Sequence, residues 1–138
     1  MTEPVISVED LSIEYRIGRE WLSAVESVDL RINPLQIHGL VGESGSGKST
    51  VAMAMIHYLA RNARISDGRI IFDDQDLRTV TDSAIREVWG NQISLVPQNT
   101  MDSLNPSLRI SQQMTEVTKR HLGISAAEAH RQAEEALR

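Results

Sequence analysis

The sequence predicts an α/β fold in which an antiparallel β subdomain precedes a core built around a phosphate-binding loop. Three observations predict it. Apolar residues alternate over residues 5–8, 11–15 and 24–32, a G-x-x-x-x-G-K-S pattern runs from Gly42 to Ser49, and helical and strand patterns alternate after it. At 138 residues the chain has the length of one domain with a real core.

The elements follow in order. Residues 5–8 and 11–15 alternate in the strand period, and residues 24–32 do so again, with Val28, Leu30 and Ile32 on one face. Residues 16–23 read as their connecting loop. Asn33-Pro34 is a turn signal leading into Ile37-His-Gly-Leu-Val41, which reads as a short buried strand. A helix is expected over about 48–61. Residues 68–72 read as a strand, with Asp73-Asp74 as a tight turn before Leu77. Thr81 or Asp82 can cap a short helix to about Trp89, and residues 93–96 read as a strand stopped by Pro97. After a polar loop through Pro106, helices are expected over about 111–121 and 125–137. Gly123 can end the first, and Ser125 with Glu128 makes a capping box for the second.

The loop itself reads Gly42-Glu43-Ser44-Gly45-Ser46-Gly47-Lys48-Ser49-Thr50. Its glycines permit turns closed to residues with a Cβ, so that successive backbone N–H groups converge on an anion. Lys48 has the reach for β- and γ-phosphates, and the Ser49 hydroxyl can ligate Mg²⁺. The helix that opens near Lys48 aims its positive dipole end at the same place. The bland alternative, a flexible Gly/Ser loop with a stray lysine, is disfavoured by the strand pattern before the loop and the helical pattern after it.

Composition bounds the function. A net charge of −5 and sparse aromatics argue against a nucleic-acid or anionic-lipid surface as the main partner. With no cysteine, disulfides, thiolate zinc sites and thiol nucleophiles are excluded, which suits a reducing compartment. The N-terminus carries Glu3, Glu9 and Asp10 in place of a basic and then apolar segment, so no secretory signal is visible, and no apolar run approaches the roughly 20 residues that span a bilayer. A cytoplasmic chain is expected. His38, His57, His121 and His130 have no paired metal spacing, and Asp73, Asp74 and Asp76 read as a turn cluster.

A phosphate loop does not by itself choose among kinases, GTPases and transport ATPases. No Asp is followed three residues later by Gly, and no Asn-Lys-x-Asp occurs, so GTPase markers are missing. A second constellation separates the rest: Ile93-Ser-Leu-Val-Pro-Gln98, continued by Asn99-Thr-Met-Asp-Ser-Leu-Asn-Pro106. Together with Val41–Thr50 it closely resembles the ATP-binding subunits of ABC transporters, and within them the oligopeptide, dipeptide and nickel importer branch. The resemblance runs from about Val5 to the last residue. It implies three parts, an antiparallel β layer over about 1–36, a P-loop to Q-loop α/β core over 37–110, and the start of a helical subdomain over 111–138.

The resemblance also assigns roles. Gln98 stands at the Q-loop position, where the side chain approaches Mg²⁺ and the attacking water, and Lys48 is its catalytic companion on the phosphates. Tyr15 falls where the family places an aromatic that stacks on adenine; an ordinary packed strand aromatic is its other reading, and Trp21 is a second candidate for stacking. Val25 is a candidate contact to the base edge. Asn99 departs from the acidic residue usual after the glutamine, and Asn33-Pro-Leu-Gln36 lacks the usual Pro-Gly-Glu turn. ATP and Mg²⁺ are the implied cofactors. Transmembrane permease subunits, reached through the segment after Gln98, and a second ATP-binding subunit are the implied partners, with no nucleic acid. The implied location is peripheral, on the inner face of the cell membrane.

Hydrolysis in such enzymes also needs an Asp-Glu pair ending a strand (Walker B), a switch histidine and a Leu-Ser-Gly-Gly-Gln signature. The chain contains no Asp-Glu and no Gly-Gly pair. The expectation is therefore a nucleotide-binding domain truncated before the signature and Walker B strand, from a subunit that couples MgATP to uptake of peptides or a similar small solute. A non-catalytic nucleotide-binding or interaction module is the rival reading. A third, a P-loop kinase of small metabolites, finds no acceptor-site motif.

Overall fold

The alternating N-terminal residues build two long strands, β1 (Ile6–Ile17) and β2 (Glu20–Ile32), which pair antiparallel. The computed structural model describes residues 3–99 and 104–138. Its chain falls into two units, Met1–Ile85 and Arg86–Arg138.

In the first unit β3 (Ala63–Phe72) pairs with the other edge of β1, and the two-residue β4 (Gln75–Asp76) pairs with β3. The order is β2-β1-β3-β4, which makes β1 a central strand. The expected loop over 16–23 is instead a tight hairpin. Arg16 opposes Trp21 and Ile17 opposes Glu20, leaving two turn residues, of which Gly18 takes φ 64°. A glycine in left-handed backbone allows the short reversal that a longer loop otherwise supplies. The Asp73-Asp74 turn forms as expected, with both residues at positive φ, 48° and 60°.

Val8 and Leu11 are both buried although three residues apart, an odd step that strict alternation sends to opposite faces. A bulge resolves it. The ladders shift register between Val8 and Leu11 on one side of β1 and between Glu9 and Ser12 on the other, and Asp10 takes φ 49°. Ser27 on β2 and Gly68 on β3 also have positive φ, and the Ser27 N–H donates to Ser12 Oγ at 3.0 Å. A Cβ on Gly68 would stand 2.3 Å from the Asp10 carbonyl oxygen. Elsewhere along β1 and β3 the register pairs Glu9 with Arg69 and Glu14 with Arg64, ion pairs of 2.6 and 2.8 Å. Arg64 also lies 4.0 Å over the Trp21 ring.

α1 (Lys48–Met55) packs on β1, β2 and β3 and buries Val51 and Ala54 in a core with Leu11, Ile13, Val25, Ile70 and Phe72. It ends well before the expected Arg61. The His57 N–H donates to the Ala54 carbonyl and the Tyr58 N–H to the Met53 carbonyl, with His57 at φ 55°. This is a Schellman closure with histidine at the position glycine usually takes.

Two expected strands do not form. Residues 37–41 lie outside any ladder, and Ile37 and Val41 are 104% and 93% exposed. Among the described residues no strand pairs with them, and β propensity cannot compensate for a missing ladder of hydrogen bonds. Over 93–96 only Ile93 pairs, in a single parallel bridge with Trp89.

α2 (Asp82–Val88) is capped by Thr81, whose Oγ1 accepts from the Ala84 N–H at 3.4 Å. In the second unit α3 (Ile110–Leu122) and α4 (Ala126–Ala136) pack together and bury Thr115 and Ala129. The Thr115 hydroxyl donates to the Ser111 carbonyl at 2.8 Å, so its burial leaves no orphan. Gly123 ends α3 at φ 61° as expected. Ser125 caps α4 by accepting from the Glu128 N–H, but the box closes on one side only. The Glu128 carboxylate instead takes two guanidinium donors from Arg131, which hold its pKa below the ordinary carboxylate value.

Two substitutions test this backbone. Gly68→Ala is expected to destabilise the chain by about 2–4 kcal/mol, from left-handed strain and the clash with Asp10. His57→Gly is expected to stabilise it by about 1 kcal/mol by relieving left-handed strain. Denaturant midpoints measure both.

Candidate functional site

The loop before α1 is built from glycine geometry. Gly45 takes φ 82° and Gly47 φ 86°, the latter as the N-cap of α1. The Ser46 N–H donates to the Glu43 carbonyl, and the Val51 N–H reaches back to the Gly47 carbonyl at 2.9 Å, starting the helix. Gly47 rests on β2. A Cβ there would meet the Ala24 carbonyl oxygen at 2.9 Å and Val25 Cγ2 at 3.0 Å. A Cβ on Gly42 would meet Ser46 Oγ at 2.9 Å. A side chain at Gly42 would crowd the inside of the loop, against Ser46 and Lys48, and one at Gly47 would lift the loop off β2, so the glycines present leave the loop room for a phosphate.

The Lys48 ammonium folds over the loop, donating to the Glu43 carbonyl and, at 3.2 Å, to Ser46 Oγ. It is therefore held at the loop by two neutral local acceptors, which an anion would replace with a partner of opposite charge. No carboxylate pairs with it among the described residues. Ser49 and Thr50 lie on the first turn of α1, where helix N–H groups point outward without intrahelical partners.

Tyr15 lies in the same unit, with its hydroxyl 3.4 Å from Thr50 Oγ1. Both line a cleft of about 520 Å³ that also includes Ser49. The structure thus brings together Tyr15, Val25 and the whole stretch from Gly42 to Thr50. Val25 is buried beneath Gly47, and its 6% exposure leaves little side chain to meet a base edge. Trp21, the second stacking candidate, carries Arg64 on its ring. Gln98 belongs to the second unit, where it is exposed at a bend. Of the segment that follows it, residues 100–103 lie outside the described residues.

Met53, Tyr58 and Arg61 also line the cleft, and no motif announces them. Met53 lies on α1 itself, while Tyr58 and Arg61 follow the stop of α1 at Met55, an ending set by the backbone of His57 for which the sequence carries no glycine signal.

With the loop and its seat described, the comparisons place the chain in a class. Residues 25–138 match the family model described as ABC transporter, and the chain belongs to that family. It is 36% identical over 137 residues to a Brucella abortus (strain 2308) protein with the provisional name of peptide import ATP-binding protein, covering 99% of this chain and 41% of that one. The peptidoglycan transport ATP-binding protein YejF of Agrobacterium fabrum is 39% identical over 99% of this chain and 25% of its own length. The peptide transport system ATP-binding protein SapD of Escherichia coli O6:H1 is 37% identical over 80% of this chain and 34% of its own length. The chain therefore spans less than half the length of these relatives. In three dimensions it resembles a dimeric bacterial ABC transporter cassette, with a TM-score of 0.80 at 22% identity over 96% of this chain and 55% of the other. That likeness establishes the α/β fold of an ABC ATPase cassette.

Gly47→Ala tests the seat of the loop. The added methyl group must push the loop off β2, and binding of tripolyphosphate is expected to weaken at least about tenfold in calorimetry while the circular dichroism of the sheet is retained.

Proposed function

We propose that this chain forms the ATP-binding part of an ABC transporter subunit that powers uptake of peptides or a similar small solute. The observation that carries the proposal is the loop from Gly42 to Ser49, with Gly45 and Gly47 in left-handed backbone, Lys48 folded over it, and α1 opening behind it. Family membership and the names of the relatives support the transport setting.

In this reading the amides of Gly45, Ser46, Gly47 and Lys48 and the Thr50 hydroxyl hold the phosphates, and the Glu43 and Ser44 backbone shapes the loop. Lys48 neutralises the β- and γ-phosphates, and Tyr15 stacks on adenine beside Val25. Ser49 and Gln98 are the residues proposed to hold magnesium, which when bound would supply positive charge against the phosphates. Gln98 couples that metal to permease subunits through the segment after it, and a second ATP-binding subunit completes the assembly. No helix among the described residues is long and apolar enough to cross a membrane. A peripheral position on the inner face of the membrane, held by the permeases, is the location proposed. The three-part division at about 36 and 110 is proposed on the family resemblance.

Calorimetric titration with MgATP tests the proposal. Lys48→Ala is expected to weaken binding by roughly 1.5–3 kcal/mol, the range for charge-assisted hydrogen bonds, with the fold intact. Equal affinity in the substituted chain overturns it.

A further inference from the structure

Residues 37–41 hold a short strand's worth of backbone without a ladder. Ile37, His38, Gly39, Leu40 and Val41 are all exposed. None of their backbone N–H or carbonyl groups has a hydrogen-bond partner among the described residues. None has a positive φ, so no left-handed residue stands in the way of an extended ladder.

Natural sheets protect such backbone with charge, proline or cover. Positions 35–42 hold no proline and no Asp, Glu, Lys or Arg. In a strand, Ile37, Gly39 and Val41 share one face, and His38 and Leu40 share the other. The pattern also says which second strand fits. Outward from Gly39 it is alike in both directions, a larger residue and then a β-branched one. Two copies paired antiparallel about Gly39 set Ile37 against Val41 twice on one face and His38 against Leu40 twice on the other. Cross-strand β-branched pairs stabilise such ladders. Gly39 meets its own copy at the centre, and a Cβ built on it meets nothing within 4 Å, so the approach is open. The nearest charged residue is Glu43. Its two copies would stand at opposite ends of the ladder, roughly 26 Å apart at about 3.3 Å per residue, well beyond a Debye length of about 8 Å.

We propose that residues 37–41 pair antiparallel with the same residues of a second copy of this chain, about a two-fold axis at Gly39. The pairing is isologous and closes as a dimer. Five residues are far fewer than the roughly 20–30 a side of a standard interface, so the dimer is weak and concentration-dependent. It forms whatever the loop after Val41 binds. A strand from outside this chain is the rival occupant.

Sedimentation velocity over a wide range of concentration is expected to show a reversible monomer–dimer shift, lost in Ile37→Lys and in Val41→Lys. Because the chain has no cysteine, single substitutions can report the register. Under mild oxidation Gly39→Cys is expected to cross-link between copies at least about tenfold faster than His38→Cys or Leu40→Cys. Residue 39 faces itself, whereas 38 and 40 meet their own copies only on the diagonal, about 7–8 Å away and outside disulfide range. Adding Ile37→Lys to Gly39→Cys should abolish the cross-link. All these side chains are exposed, so the circular dichroism of the sheet should be unchanged in every variant. A chain that stays monomeric at every concentration overturns the proposal and leaves the outside strand as the occupant. Equal cross-linking at 38, 39 and 40 overturns the two-fold register. A dimer indifferent to both lysine substitutions places the interface elsewhere, and species that grow beyond the dimer contradict closure.

Discussion

The seating of Gly47 on β2 is the contact on which the candidate site depends. The loop approaches the Ala24 carbonyl so closely that a methyl group would stand 2.9 Å from it, and only glycine tolerates that separation at φ 86°. The contact fixes the start of α1 relative to the sheet, so Lys48, Ser49 and Thr50 leave the helix from a defined point. Val25, buried beneath the loop, supplies the apolar side of the same seat. A loop resting on a paired ladder has less conformational freedom left to lose, which is the condition that a preorganised anion cradle would need.

β2 is a firm base because β1 is paired on both edges. The bulge at Asp10 keeps Val8 and Leu11 on one face, and the glycine at position 68 makes room for it on the neighbouring strand. The other face of β1 and β3 carries the cross-strand pairs of Glu9 with Arg69 and Glu14 with Arg64. These partly exposed pairs are worth little individually, and the apolar face carries the stability. The sheet therefore separates its tasks, with the core on one side and solvent on the other, and the loop at the edge of the core.

Much of this was legible in the residues. The glycine spacing from Gly42 to Lys48 specifies left-handed backbone and a helix start within a few positions, and both are found at Gly45, Gly47 and Lys48. Caps were equally local: Thr81, Gly123 and Ser125 each act on backbone groups a few residues away. Harder to read were features that depend on a distant neighbour. β3 begins at Ala63 because Arg64 and Ile65 find partners on β1, fifty residues earlier, and no pattern within β3 announces that. Residues 37–41 look like a buried strand and are exposed, because burial and pairing are properties of a partner.

The sequence by itself determined the alternation that makes a half-buried sheet, the helix ends that have a cap, and a loop with glycine at its left-handed positions. Those are settled within a few bonds of each residue. The tertiary structure decided the bulge that phases β1, the early stop of α1 at a histidine, and the meeting of Tyr15 with Tyr58 and Arg61 in one cleft. Each needs two segments far apart in the chain to be brought together, and that is decided by which surfaces pack and which backbone groups find partners.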